Sequence, residues 1–300
     1  MVYDHKIYLI GATGNIGRPL VRKLLSNPKV SLTLFARSPA KVQEIYGNQP
    51  AGKLQIVQGD HENLKPFEDS IAGHTRLFLL IQANSFKNSE RIVRSFAEKA
   101  YASGIQQVVL ISGICTNMSW RSNVIAEAGY NWENAVNSIP NRRAFVTLRP
   151  AYFMSNQLGT DALSIKSSNK IIDTRGLESP KAWISPNDIG ELAAIILQEP
   201  IEKHEDAVYD MVGDPKTPKE HAEILSRVLG REIVYEKVTD EQCYDMMTKQ
   251  AGMPHALAYT MLYLSKELEY DHVSPGLSVL LGRQPETLEQ WIEKNKNSFL

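Results

Sequence analysis

The feature that most constrains this chain lies at its start. Gly11-Ala12-Thr13-Gly14-Asn15-Ile16-Gly17 stands between an apolar run, Ile7-Tyr8-Leu9-Ile10, and a helix-like segment, Pro19-Leu20-Val21-Arg22-Lys23-Leu24-Leu25. Strand, glycine turn, helix is the context in which such spacing carries weight. The glycines permit a tight turn and a close backbone approach to a pyrophosphate, and the helix start aims its N–H groups at the anion. The backbone of Thr13, Asn15 and Ile16 is expected to face that anion, with the Thr13 and Asn15 side chains adding hydrogen bonds. The same turn without a ligand is the alternative.

The rest of the first half continues the alternation. Strands are expected at Lys6–Ile10, Ser31–Ala36, Leu54–Gln58, Arg76–Leu80, Gln107–Ile111 and Ala144–Leu148. Helices fit between them, including Gly14–Leu25, Pro39–Ile45, Leu64–Ile71 and Glu90–Ser103. Repeated βα units with apolar strands imply an α/β fold built on a doubly wound parallel sheet. Ligands then belong beyond the C-terminal strand ends.

After Pro150 the rhythm changes. Residues 152–179 read as irregular, being rich in Ser, Asn and Gly. Ser185-Pro186-Asn187-Asp188 opens a helix through Ile196, with Ser185 or Asn187 as cap. Ala207–Val212 reads as one more strand, and from Thr217 onward the chain is mostly helical around a strand-like Glu232–Val238. The expected division is a dinucleotide-binding domain of 1–153 plus about 183–213, and a smaller, mostly helical lobe of about 154–182 plus 214–300.

Bulk composition narrows the partners. Of the 300 residues, 43% are hydrophobic and 22% charged, and the net charge is −1, which argues against nucleic acid and membrane surfaces as partners. The two cysteines, Cys115 and Cys243, are far apart in sequence, so a reducing, cytoplasmic setting is expected rather than a disulfide framework. A strand begins within seven residues of Met1 with no signal-peptide apolar region before it, and the apolar runs are too short to span a bilayer. The histidines and cysteines show no metal-binding spacing, so no metal is expected. The chain is expected to act on a small molecule as a monomer or homodimer.

Several strand ends carry candidate contacts. The second strand ends Leu34-Phe35-Ala36-Arg37-Ser38-Pro39-Ala40-Lys41, with no Asp or Glu between Val30 and Gln43. An acid there would bind the ribose 2′-OH of NAD, whereas Arg37, with Lys41 a turn further on, suits the 2′-phosphate of NADP. Ser38 is read as a helix N-cap, whether or not it also touches phosphate. Asp60, after the third strand, either borders the adenine or caps the following segment, and His61 is read as surface. Gln82 ends the fourth strand near the ribose or nicotinamide. Ser112 ends the fifth, as either a ligand contact or a turn residue.

Together, Gly11–Gly17, Arg37, Gly59-Asp60, Leu148-Arg149-Pro150-Ala151-Tyr152-Phe153-Met154 and Ile184-Ser185-Pro186-Asn187-Asp188-Ile189-Gly190 resemble the NmrA-like branch of the atypical short-chain dehydrogenases/reductases. The likeness is dense to about residue 200 and faint beyond. It implies a Rossmann fold and NADP(H). It also implies either an NADPH-dependent reductase of quinones, dyes, iminium ions or similar conjugated compounds, or a non-catalytic NADP(H) sensor acting through a protein partner. By resemblance, Pro150, Tyr152 and Phe153 are cofactor-pocket candidates, with core packing the alternative for Phe153.

The wider superfamily uses a Tyr-x-x-x-Lys pair, in which the lysine lowers the tyrosine pKa. Here Tyr130 is followed at that spacing by Asn134, and no lysine or histidine occurs between Arg121 and Arg142. Tyr130 is the candidate acid, with a pocket wall as its alternative. A cationic acceptor takes hydride without a protein acid, so the reductase expectation survives. Cys115 has no adjacent base and is not expected to be a nucleophile. In the C-terminal lobe, Tyr244, Met246, Met247, Met253, Tyr259, Met261 and Tyr263 would suit a flat apolar substrate or simply pack the lobe. Leu288, Trp291, Ile292 and Phe299 read as the docking face of the last helix.

Overall fold

The computed structural model describes residues 4–81, 88–268 and 270–300. Its elements run β1 (His5–Ile10), α1 (Gly17–Leu25), β2 (Val30–Ala36), α2 (Pro39–Tyr46), β3 (Leu54–Gln58), α3 (Lys65–Ile71), β4 (Arg76–Leu79), α4 (Ser89–Ala102), β5 (Gln107–Ile111), α5 (Val124–Asn137) and β6 (Ala144–Pro150). There follow β7 (Tyr152–Phe153), α6 (Gln157–Thr160), α7 (Ala162–Ser168), β8 (Lys170–Asp173), β9 (Trp183–Ile184), α8 (Pro186–Ile196), α9 (Ile201–His204) and β10 (Val208–Met211). The remainder is α10 (Pro218–Leu229), β11 (Val234–Lys237), α11 (Asp240–Asp245), α12 (His255–Glu267), α13 (Pro275–Leu281) and α14 (Leu288–Lys294).

The chain divides into two compact units. The first holds residues 1–116, 127–149 and 187–210; the second holds 117–126, 150–186 and 211–300. Seven strands form one sheet in the order β10-β6-β5-β4-β1-β2-β3. The ladders from β3 to β6 are parallel, with Ile7 opposite Leu32 and Leu9 opposite Leu34. The winding reverses between β1 and β4, and such a switch point is where a doubly wound sheet opens a crevice for ligands.

The sheet is a doubly wound parallel sheet, as expected, and its strands are apolar because both faces are covered. On one face Tyr8, Phe35, Phe67 and Phe96 interlock edge to face: Tyr8–Phe67 centroids lie 5.1 Å apart and Phe67–Phe96 4.9 Å. Such contacts add about 0.5–1.5 kcal/mol each to the burial of the rings. The Tyr8 hydroxyl, buried with them, pairs with Ser70 Oγ at 2.8 Å, and burial raises its pKa to about 12. Helix α1 buries Leu20, Val21 and Leu24 along one stripe.

The second unit has a different build. Its strands pair in twos, β7 with β9 and β8 with β11. The stretch 152–179, expected to be irregular, holds two short strands and two short helices. Pairing to distant partners decides this, since Tyr152 lies opposite Trp183 and Ile171 opposite Tyr235. Helix α10 starts at a capping box, in which Thr217 Oγ1 accepts from the Glu220 amide and the Glu220 carboxylate accepts from the Thr217 amide. Its core gathers Met154, Ile165, Trp183, Leu225, Leu288, Trp291, Ile292 and Phe299, so the last helix docks through the residues expected of it. Among the described residues no helix is long and apolar enough to cross a membrane.

Candidate functional site

Helix α1 begins at Gly17 rather than Gly14, leaving 11–16 as a turn at the C-terminal end of β1. Gly11 sits at φ +94°, a conformation that disfavours a side chain, and a Cβ there would lie 2.8 Å from Leu80 Cβ. A Cβ on Gly17 would come within 2.2 Å of the Gly11 carbonyl oxygen, so only glycine lets the turn fold back onto its own start. At Gly14 the nearest atom to a Cβ is 3.8 Å away, so the middle of the turn is open. Gly14 and Asn15 are exposed and Thr13 half-buried, whereas Ile16 and Gly17 are buried.

Two side chains brace the turn. The Tyr46 hydroxyl donates to the Ala12 carbonyl at 2.5 Å from the end of α2, and burial raises its pKa to about 12. Arg18 Nε donates to the Thr13 carbonyl at 3.1 Å. At the helix start Ile16 supplies no side-chain cap, and the first turn holds no acidic residue. A helix N-terminus without its own carboxylate, behind an open glycine backbone, fits a phosphate group.

The next two strand ends meet. The Gly59 amide donates to the Ala36 carbonyl at 3.2 Å, which sets Arg37 near the Asp60–His61 turn. Arg37 and Lys41 are exposed, and Ser38 caps α2 by accepting from the Lys41 amide at 3.4 Å. Asp60 Oδ1 caps its own turn, accepting from the Glu62 and Asn63 amides at 2.9 Å each. Those amides, with a smaller contribution from the Arg37 guanidinium, hold the Asp60 carboxyl below the ordinary carboxylate range. His61, expected at the surface, is half-buried with its ring edge-on to Phe96 at 5.8 Å. Burial, and then Arg37, lower its pKa.

Gln82 lies outside the described residues. Ser112 follows β5 and donates to Glu133 Oε1 at 2.6 Å. Glu133, nearly fully buried on α5, also receives Arg149 Nε at 2.9 Å and Nη2 at 2.5 Å. This network was not singled out in the sequence. Its signal was a lone acid in Asn131-Trp132-Glu133-Asn134-Ala135 and a lone base in Thr147-Leu148-Arg149-Pro150, opposite charges set among uncharged neighbours. Tyr130, 46% exposed, stands on the same helix.

Pro150 is buried. Tyr152 and Phe153 are half-buried in β7, where Tyr152 packs edge-to-face on Trp183 at 6.3 Å with Lys181 Nζ 4.6 Å above its ring. Burial pushes the Cys115 thiol up to about 11, the opposite of what a nucleophile needs. In the second unit Met246, Met247, Met253, Met261, Tyr244 and Tyr263 are half-buried and Tyr259 is 62% exposed, so none belongs to the sealed core. Among the described residues no group of three or more His, Cys, Asp or Glu side chains could hold a metal ion.

Prestalk A differentiation protein A of Dictyostelium discoideum is 23% identical over an alignment of 298 positions that covers 96% of this chain and 91% of that protein. The structure of the NADPH-dependent quinone oxidoreductase QOR2 of Escherichia coli, complexed with NADPH, matches with a TM-score of 0.82 at 21% identity, over 97% of this chain and 100% of that one. NmrA, a negative transcriptional regulator in complex with NADP, matches with a TM-score of 0.74 at 14% identity, over 97% and 94%. A family model described as NAD(P)H-binding matches residues 11–200, a span that takes in the glycine turn and every strand end described above. The chain belongs to the NAD(P)H-binding family.

Proposed function

We propose that this protein is an NADPH-dependent reductase of a small aromatic or conjugated compound such as a quinone or an iminium ion. The observation that carries the cofactor preference is the end of β2, where exposed Arg37 and Lys41 stand and no acid occurs between Val30 and Gln43. In this reading the backbone of Gly11, Thr13, Gly14, Asn15, Ile16 and Gly17 holds the pyrophosphate, and Arg37, Ser38 and Lys41 hold the 2′-phosphate. Asp60 and Gln82 border the adenosine and ribose. Ser112, Pro150, Tyr152 and Phe153 serve the nicotinamide half. The bound cofactor supplies the hydride, and the protein supplies placement and exclusion of water. The half-buried methionines and tyrosines of 244–263 offer an adaptable surface to a flat apolar substrate. The quinone oxidoreductase named above supports the substrate class by its likeness.

The test is NADPH oxidation followed at its near-ultraviolet absorbance across quinones, iminium compounds and cationic dyes. Turnover of at least one class is expected, and turnover of none would overturn the reductase reading. For the cofactor, Arg37→Ala should weaken NADP roughly 10- to 100-fold, the loss of a charge-assisted contact, and barely touch NAD. An equal loss for both would remove Arg37 from the 2′-phosphate site.

Asn134 favours a second reading. No lysine follows Tyr130 one turn on, which suits an NADP(H)-binding regulator as well as a reductase of cationic acceptors. A regulator must bind its partner differently with NADP and NADPH, because a ligand without differential affinity shifts nothing. Equal partner affinity in both states would end that version.

A further inference from the structure

We propose that Glu133 and Arg149 lock Ser112 as a hydrogen-bond acceptor for a donor on the nicotinamide half of the cofactor. This rests on the NAD(P)H reading and adds to it two positioning residues and a direction. A serine hydroxyl has one hydrogen to give and two lone pairs to accept with. The Ser112 hydrogen is committed to Glu133 Oε1 at 2.6 Å. Glu133 is held in turn by the Arg149 fork, with Nε 2.9 Å from Oε1 and Nη2 2.5 Å from Oε2. A bidentate guanidinium fixes the carboxylate plane as well as its charge. With Glu133 only 6% exposed, turning it away would strand a buried carboxylate and cost several kcal/mol.

The backbone is held too, since the Ser112 amide donates to the Leu148 carbonyl at 2.9 Å. Among the described residues no donor reaches Ser112 Oγ. What remains is a half-buried acceptor of fixed orientation, just past the C-terminal end of β5 and two strands from the switch point. A nicotinamide riboside presents two kinds of matching donor, the carboxamide N–H groups and the ribose hydroxyls. The same geometry bars Ser112 from giving a proton to the substrate, because its hydrogen already lies on Glu133.

The experiment measures dissociation constants by calorimetry for three probes: NADP, 2′-phospho-ADP, which lacks the whole nicotinamide riboside, and the 3-acetylpyridine analogue of NADP, which lacks the carboxamide N–H groups. Ser112→Ala is expected to weaken NADP about tenfold, the scale of one hydrogen bond to a fixed acceptor, and to leave 2′-phospho-ADP unchanged. If the donor is the carboxamide, the wild-type protein prefers NADP over the acetylpyridine analogue and Ser112→Ala loses that preference. If it is a ribose hydroxyl, Ser112→Ala weakens both alike. Either pattern supports the lock.

Glu133→Gln keeps the shape. Because Arg149 donates to both carboxylate oxygens, either orientation of the new amide sets an N–H against the guanidinium, and the hold on the Ser112 hydrogen is lost. The substitution should weaken NADP to a similar degree, spare the fragment, and add little in the Ser112→Ala background. A merely structural Glu133 would weaken the fragment as well and would do so in both backgrounds. Unchanged NADP affinity in Ser112→Ala, or equal loss for NADP and fragment, overturns the proposal. A wild-type protein binding neither NADP nor the fragment would overturn the cofactor reading and this inference with it.

Discussion

The aromatic cluster of the first unit and the His221 pocket of the second are built on opposite terms. In the first, Tyr8, Phe35, Phe67 and Phe96 pack ring on ring between sheet and helices, and the one hydroxyl among them has its partner in Ser70. In the second, titratable groups are sealed inside. His221 lies against Trp183 at 5.4 Å with Nε2 2.7 Å from Gln157 Oε1. Asp161 is buried as well, and Arg175 keeps Nε and Nη2 without a protein partner. An apolar core gains from area alone, whereas a polar one gains only while each group keeps its charge state and its partner. The aromatic cluster should therefore answer to lost volume and the His221 pocket to pH.

The largest expected effect is Phe67→Ala. Removing a sealed ring in contact with Tyr8, Phe35 and Phe96 should cost about 3–5 kcal/mol, read by urea denaturation. A cost under about 1 kcal/mol would mean that the aromatic cluster does not carry the first unit.

His221 comes next. Burial, and then Lys181, lower its pKa to about 3, so the folded protein keeps it neutral. Unfolded, it takes a proton near pH 6.5. Its contribution is therefore complete above about pH 6.5 and is lost as the pH falls toward 3, with a slope of at most about 1.4 kcal/mol per pH unit. Hydrogen exchange should show the amides of α10, which carries His221, losing more protection over that window than those of α1. His221→Gln, which retains a polar partner for Gln157, should flatten the slope. Equal loss in both helices would break the comparison.

Thr217→Ala should cost about 1 kcal/mol through the lost cap of α10, visible as a lower thermal midpoint. At the small end, Lys65→Ala should leave the urea midpoint unchanged. Its pair with Asp69 is one helical turn away on an exposed face, where solvent screens it.

How much of this was legible in the sequence follows from range. The glycine turn, the seven strands and the docking residues of α14 could be read because their signals are local: spacing, β-branched runs, helical periodicity. Residues 152–179 could not. A two-residue strand such as Tyr152–Phe153 has no period to detect, and it exists because Trp183 and Ile184 arrive beside it. The Ser112–Glu133–Arg149 network fails for the same reason, since three side chains from β5, α5 and β6 converge only when the sheet forms. His61 was misjudged because its partner, Phe96, belongs to a helix whose packing the local sequence does not reveal.

Arg37 itself has a further consequence. It is exposed, while Leu34 and Phe35 just before it are buried and carry the strand. The residue proposed for cofactor choice is thus written on the outside of a frame that other residues hold up. A lineage could exchange it for an acid, and trade one cellular pool of reducing power for another, without the core registering the change. Preference of this kind is cheap to revise, and a change in diet or redox economy need not wait for a new fold.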